Sequence, residues 1–195
     1  MRRLVPCLGL ALALIAHSTV ASAEGQRYVV TDKGRVSFDA FHPFTTFTVT
    51  SESPSGEIEL DTADLKQPFK GEIIVLSASL RSGDRKRDQK IYNSLDIERY
   101  PDIRYRIEKV DSSFGTLAEN NDVLLVIRGV LIMKGLERPV DFSGRLRLRP
   151  GGGLWFRGES WIKPWDWGVQ PIRLWLISVR ETGLATFDLI LNKAE

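Results

Sequence analysis

The chain has 195 residues, with 27 Lys and Arg against 25 Asp and Glu, one Cys, two His and five Trp. That length suits one domain with an ample core. The near balance of charge leaves no electrostatic footprint for nucleic acid or an anionic lipid surface.

The N-terminus reads as a secretory leader. Met1-Arg2-Arg3 is a short cationic region, Leu4 to Ala16 an apolar run too short for a comfortable membrane span, and Ala21-Ser22-Ala23 a small-x-small cleavage site. Cys7 follows Leu4-Val5-Pro6, a poor lipoprotein box, and the surroundings of Arg2-Arg3 do not otherwise match twin-arginine export, so the general secretory route to the periplasm is expected. Cleavage after Ala23 leaves 172 residues, residues 24–195, as one domain with 25 basic and 25 acidic side chains, no Cys and a single His, His42. A disulfide framework, thiol catalysis and Cys-based zinc or iron–sulfur sites are then excluded, so stability must come from the core.

From there the period is two almost throughout, the signature of strands half-buried on one face. It runs through Arg35 to Ala40, Thr46 to Thr50, Glu57-Ile58-Glu59-Leu60 and Asp102 to Glu108. From Val140 it puts Phe142, Leu146 and Leu148 on one face and Asp141, Arg145, Arg147 and Arg149 on the other. Two runs, Ile73 to Leu76 and, apart from Arg128 and Gly129, Val123 to Met133, are apolar on both faces and are expected to be covered on both sides, by packed elements or by a ligand on one of them. Turn signals separate the runs: Ser53-Pro54-Ser55-Gly56, Asn120-Asn121-Asp122, Lys134-Gly135, Pro150 to Gly153 and Thr182-Gly183. Roughly eight to ten strands at this spacing predict one antiparallel barrel or sandwich. Gly83 to Tyr100 breaks the pattern, with Asp84 as a helix cap, Ile91 and Leu95 at i, i+4, and Pro101 as the stop; a short helix over 84–98 is predicted across one end or side of the sheet.

Catalytic patterns are lacking. There is no Gly-x-Ser-x-Gly elbow, no His-Glu-x-x-His and no phosphate-binding glycine loop. His42, in Phe41-His42-Pro43-Phe44, is read as a loop or rim histidine without a catalytic task. Glu57 and Glu59 are read as a solvent-facing strand edge, and nothing recommends Asp61 and Asp64 as an acid–base pair. The chain is therefore not expected to be an enzyme, with no cofactor and no metal. All five Trp lie between Trp155 and Trp175, and alternation gives Trp161, Trp165 and Trp167 one parity provided Pro164 inserts no bulge. Indoles of this kind fill a barrel core or line an apolar cavity, and alternation leaves both open.

Three ordered landmarks add a resemblance. They are Arg87-Asp88 with Leu95 to Tyr105 (Leu-Asp-Ile-Glu-Arg-Tyr-Pro-Asp-Ile-Arg-Tyr), Gly129 to Val140 with its Lys-Gly turn and Arg-Pro-Val, and Asp166-Trp167-Gly168-Val169 followed by a last strand over Ala185 to Leu191. In these the chain resembles the YceI-like family of exported bacterial proteins over nearly all of residues 27–192. The resemblance implies an all-β, lipocalin-like antiparallel barrel of about eight strands with one short helix, and a polyisoprenoid or other lipid as ligand. The chain departs from the family, many of whose members place a His near the first strand pair and another a few residues later, in having His42 alone there, so a family role for that first histidine is not carried over, and in its heavier Trp stretch.

Parity and resemblance together nominate Phe38, Phe47, Tyr105, Phe142, Trp161, Trp165, Trp167 and Phe187 as the walls of a ligand site. The expected function is a periplasmic binding protein holding a long apolar, isoprenoid-like lipid. The alternative is a packed barrel serving a membrane or redox partner through its surface. The expected partner is an apolar lipid or polyisoprenoid, without nucleic acid or stable membrane insertion, and a homodimer is left open. A membrane-spanning barrel is disfavoured, because many strands would put charges on the lipid face.

Overall fold

The computed structural model describes residues 25–42, 45–67, 69–119, 121–170, 173–174, 177–178 and 182–194. The expected leader, residues 1–23, and Trp175 lie outside them, and His42 is described by its backbone alone. In chain order the strands are β1 (Gln26–Val30), β2 (Arg35–His42), β3 (Thr45–Ser51), β4 (Ser55–Leu60), β5 (Lys70–Leu76), β6 (Asp102–Ser112), β7 (Asp122–Met133), β8 (Leu136–Leu148), β9 (Leu154–Ile162), the two-residue pair β10 (Arg173–Leu174) and β11 (Ile177–Ser178), and β12 (Gly183–Lys193). One α-helix, α1 (Arg85–Leu95), lies between β5 and β6.

All pairings in the main sheet are antiparallel, and the sheet closes on itself through β12. One edge of β12 carries β9 from Gly183↔Ile162 to Leu191↔Leu154. Its other edge carries β2 from Gly183↔Ala40 to Asp188↔Arg35, and then β1 from Leu191↔Val30 to Lys193↔Tyr28. Because β4 pairs with β1 and β3 with β2, each of these successions forms one bent stave. Eight staves then close an up-and-down barrel, which leaves few free strand edges.

Closure fixes which parity faces the bore. On β7, Val123, Leu125 and Ile127 point inward and are buried, whereas Leu124 is 60% exposed and Val126 39% exposed. The two-sided cover expected for this run is therefore not observed: its outer face meets solvent there. Leu76, at 55% exposure, departs in the same way. β7 and β8 join through Lys134 and Gly135, at φ 51° and 71°, a two-residue turn of the hand that suits the right-twisted hairpin.

Helix α1 starts as its sequence dictates. The Asp84 carboxylate accepts from the backbone N–H groups of Lys86 (2.8 Å) and Arg87 (3.0 Å), filling two of the orphan donors of the first turn. The helix ends at Leu95, with Asp96 left-handed at φ 54°, three residues short of the expected 84–98 span and six before Pro101. Its place is set by the wall beneath. β3 pairs only with β2 among the described strands and meets the β5 side through the bridge Thr50↔Arg81, so the ladder parts between β3 and β5. The buried Ile91 and Leu95 pack toward that opening. Arg87 holds the helix there: it donates to the Ser82 carbonyl (2.8 Å) and hydroxyl (2.9 Å), and its guanidinium lies over the Phe47 ring at 4.5 Å. The buried Asp88 carboxylate accepts from the Ser82 N–H and hydroxyl.

The outer wall carries the charge. Asp102 meets Arg104, Asp111 meets Lys109 and Arg128, and Asp122 meets Arg147, at 2.6 to 2.9 Å. Hydrogen bonds from these cations hold all three carboxyls below the ordinary aspartate range, Arg104 acting on Asp102, Lys109 and then Arg128 on Asp111, and Arg147 on Asp122. A carboxylate with a depressed folded pKa contributes stability above its unfolded value, near pH 4, and loses it as the pH falls through the folded value. Denaturant midpoints should therefore fall on acidification below about pH 4. Asp122→Asn should lower the neutral-pH midpoint and flatten that fall; an unchanged acid limb in the variant contradicts the assignment.

Candidate functional site

Inward parity brings large rings from several staves into one bore. Tyr105 of β6, Phe142 of β8 and Phe187 of β12 meet with centroids 4.8 and 5.3 Å apart, and Phe156 of β9 lies 4.9 Å from Phe187. Glycines make room for them. A Cβ on Gly158 would sit 2.5 Å from the Phe187 ring, and one on Gly129 would lie 2.8 Å from the Tyr105 hydroxyl oxygen. The Tyr105 hydroxyl is in contact with the carbonyls of Ile127 (3.1 Å) and Val140 (2.9 Å). Burial raises its pKa above the ordinary tyrosine range, so it stays a neutral donor.

These rings divide the interior. Toward the β1 and β4 end the bore is filled: Ile58, Leu60, Leu146, Leu154, Leu189 and Leu191 are at most 1% exposed. Toward α1 and the β2–β3 end it is open, with a cavity of about 210 Å³. Its walls are Phe38, Ala40, Phe47 and Val49 on β2 and β3, Ile73 and Val75 on β5, Ile103 on β6, Leu131 and Met133 on β7, and Ile162 on β9. Ile91 and Leu95 face it from α1, and Tyr105, Phe142 and Phe187 form its floor. Pro164, Trp165, Val169 and Gln170 border it on the segment after β9. That border is tied to the helix: Ser94 Oγ donates to the Gln170 carbonyl (2.8 Å), and Lys134 Nζ donates to the carbonyls of Ser94 (2.9 Å) and Gly168 (3.2 Å).

Chemically the cavity offers mainly apolar contact area, with Ser37, Ser94, Tyr105, Gln170 and Thr186 as the polar residues of its described lining. Among the described residues that line it there is no Asp, Glu, Lys, Arg or His. Among the described residues no cluster of three or more His, Cys, Asp or Glu could hold a metal ion.

Six of the residues nominated from sequence line this cavity: Phe38, Phe47, Tyr105, Phe142, Trp165 and Phe187. Trp161 and Trp167 do not. β9 ends at Ile162, and Pro164–Trp167 forms a 3₁₀ turn, so the parity assumed to run through Pro164 breaks. Trp161 falls on the outer wall, 62% exposed, with its ring 5.4 Å from Phe41, while its neighbour Ile162 faces inward. Trp167 is 3% exposed, and its Nε1 donates to the Leu131 carbonyl at 2.9 Å, away from the cavity lining. The filled end is packed by Leu, Ile and Phe rather than by indoles. Ile91 and Leu95 were legible as a helix face but not as a cavity wall, because nothing local shows where the ladder parts.

A family model described as the YceI-like domain matches residues 27–189. Among solved structures, BcnA of Burkholderia cenocepacia aligns with TM-score 0.70 and 19% identity, over 83% of this chain and 98% of that one. A polyisoprenoid binding domain from Saccharophagus degradans, implicated in plant cell wall breakdown, aligns with TM-score 0.68 and 13% identity, over 87% and 99%. The YceI protein of Campylobacter jejuni gives 0.61 and 16%, over 75% and 85%. At these identities the likeness is one of fold. No curated protein sequence matches.

The two displaced indoles differ in what their loss should cost. Trp167→Ala should cost about 3–5 kcal/mol in denaturant unfolding, since it empties a buried site. Trp161→Ala should stay within about 0.5 kcal/mol of wild type, as an exposed side chain. Equal losses in the two variants would contradict this placement.

Proposed function

The chain belongs to the YceI-like family, and from that premise we propose that it is an exported, non-catalytic binding protein that holds the apolar, isoprenoid-like part of a lipid in the open end of its barrel. The observation that carries this reading is the cavity itself. About 210 Å³ far exceeds the ~10–15 Å³ that admits one water, yet a stable water needs two to four polar partners. The Tyr105 hydroxyl at the floor is already engaged by two backbone carbonyls. An apolar space of this kind stays dry or takes an apolar guest.

The shared barrel makes a polyisoprenoid the first ligand class to test, since the Saccharophagus degradans domain of the same fold carries that description. Each methylene moved from water into such walls contributes roughly 0.8 kcal/mol, a gain partly offset by ordering the chain. Area thus supplies affinity, while cavity shape and the groups bordering the mouth set selectivity. Export is supported by Arg2-Arg3, the apolar run after it and the Ala21-Ser22-Ala23 site. No helix among the described residues is long and apolar enough to cross a membrane.

Solvent extraction of protein purified from the periplasm, followed by mass spectrometry, should yield about one apolar molecule per chain. Ile91→Asp, which places a charge on the cavity side of α1, should weaken binding of an added prenol at least about tenfold. Failure of both wild-type extract and prenol titration to show binding would overturn the proposal.

A further inference from the structure

The floor rings stand where a bound chain would have to stop. Tyr105, Phe142 and Phe187 come from β6, β8 and β12, which are not neighbours in the sheet, so the three rings bridge across the bore rather than line one side of it. They are also held in place. Tyr105 is pinned by its two carbonyl partners, Phe187 lies on Gly158, and Phe156 backs Phe187 at 0% exposure. Behind them Leu154, Leu189 and Leu191 are at 0% exposure, so the described residues below the rings are packed. Interiors packed in this way do not yield to a guest without a cost.

We infer that the Tyr105–Phe142–Phe187 plate is a depth stop: it selects ligands by the length of apolar chain that fits above it, and a longer ligand keeps its remaining chain and polar head outside the mouth. This deepens the apolar-binding reading and rests on it. A ligand enters end first, with its terminal carbons against the plate and its polar end near Trp165 and Gln170, where the cavity borders solvent-facing segments. The long lipid expected from sequence is thus not swallowed whole by a bore that is filled at its other end. Ala185 stands above the plate on the same strand as Phe187, two residues nearer the mouth, and also lines the cavity.

The signature is a break in a homologous series. Saturated straight-chain alcohols, lengthened one methylene at a time, should bind wild type about fourfold more tightly per added methylene until the chain reaches the plate. Beyond that length affinity should be flat. Phe142→Ala should move the break to longer alcohols, with Phe142→Leu as a milder version should the first variant fold poorly. Ala185→Leu, which removes nothing from the packed end, should move it to shorter ones. Titration calorimetry reads the series. A wild-type series without a break, or a break unmoved in Phe142→Leu and Ala185→Leu, overturns the depth stop while leaving apolar binding intact. A wild type that binds none of the alcohols overturns the depth stop, and if its extract and a prenol titration also show no binding, the binding reading falls with it.

Discussion

The constraint on which the molecule depends is the plate of rings that divides its bore. A closed barrel of eight staves must fill its interior with side chains or leave a hole, and an empty apolar hole forfeits packing contacts. Tyr105, Phe142, Phe187 and Phe156 separate the two solutions along one axis. On one side Leu and Ile side chains pack to near-zero exposure and supply the burial that stability requires. That filled end is what permits the other to remain open. The inward glycines belong to the same arrangement, because any Cβ on Gly158 would displace the ring that rests on it.

Polar chemistry is correspondingly kept to the outside. The carboxylates of Asp102, Asp111 and Asp122 are spent on neighbouring cations of the outer wall, and none of them reaches the cavity. The helix is the one element that couples the two environments. Its Asp84 cap and its Arg87 and Asp88 contacts with Ser82 fix it at the place where β3 and β5 part, and its Ile91 and Leu95 complete the apolar wall there. Arg87 over Phe47 ties the ionic side of the helix to a ring of the cavity. An interior so arranged offers apolar contact area to a guest.

Much of this was legible in the sequence, for local reasons. Alternation from Val140 placed Phe142 and Leu146 inward and Arg145 outward, because a strand in a closed sheet has only two faces. Asp84 marked the helix start through its own carboxylate. What escaped depended on events at element ends or on distant partners. The break of β9 before Pro164 sent Trp161 outside and tucked Trp167 beneath Leu131, although the intact parity had grouped both with Trp165. The stop at Asp96 came from a left-handed cap that Asp tolerates, ahead of the more conspicuous Pro101. Leu124 and Val126 misled because an apolar residue on an outer face has no local mark that distinguishes it from a buried one. The division of the bore into a filled and an open end was not legible, since it arises from rings on β6, β8, β9 and β12 meeting across the barrel.

The most direct test of the central claim is a crystal structure of the protein soaked with a prenol whose terminal carbon carries a bromine atom. The bromine, located by its anomalous scattering, is expected against the Phe142 and Phe187 rings, with the hydroxyl near Trp165 and Gln170. Bromine on the outer wall beside Trp161, or beyond the plate among Leu154 and Leu189, would contradict it.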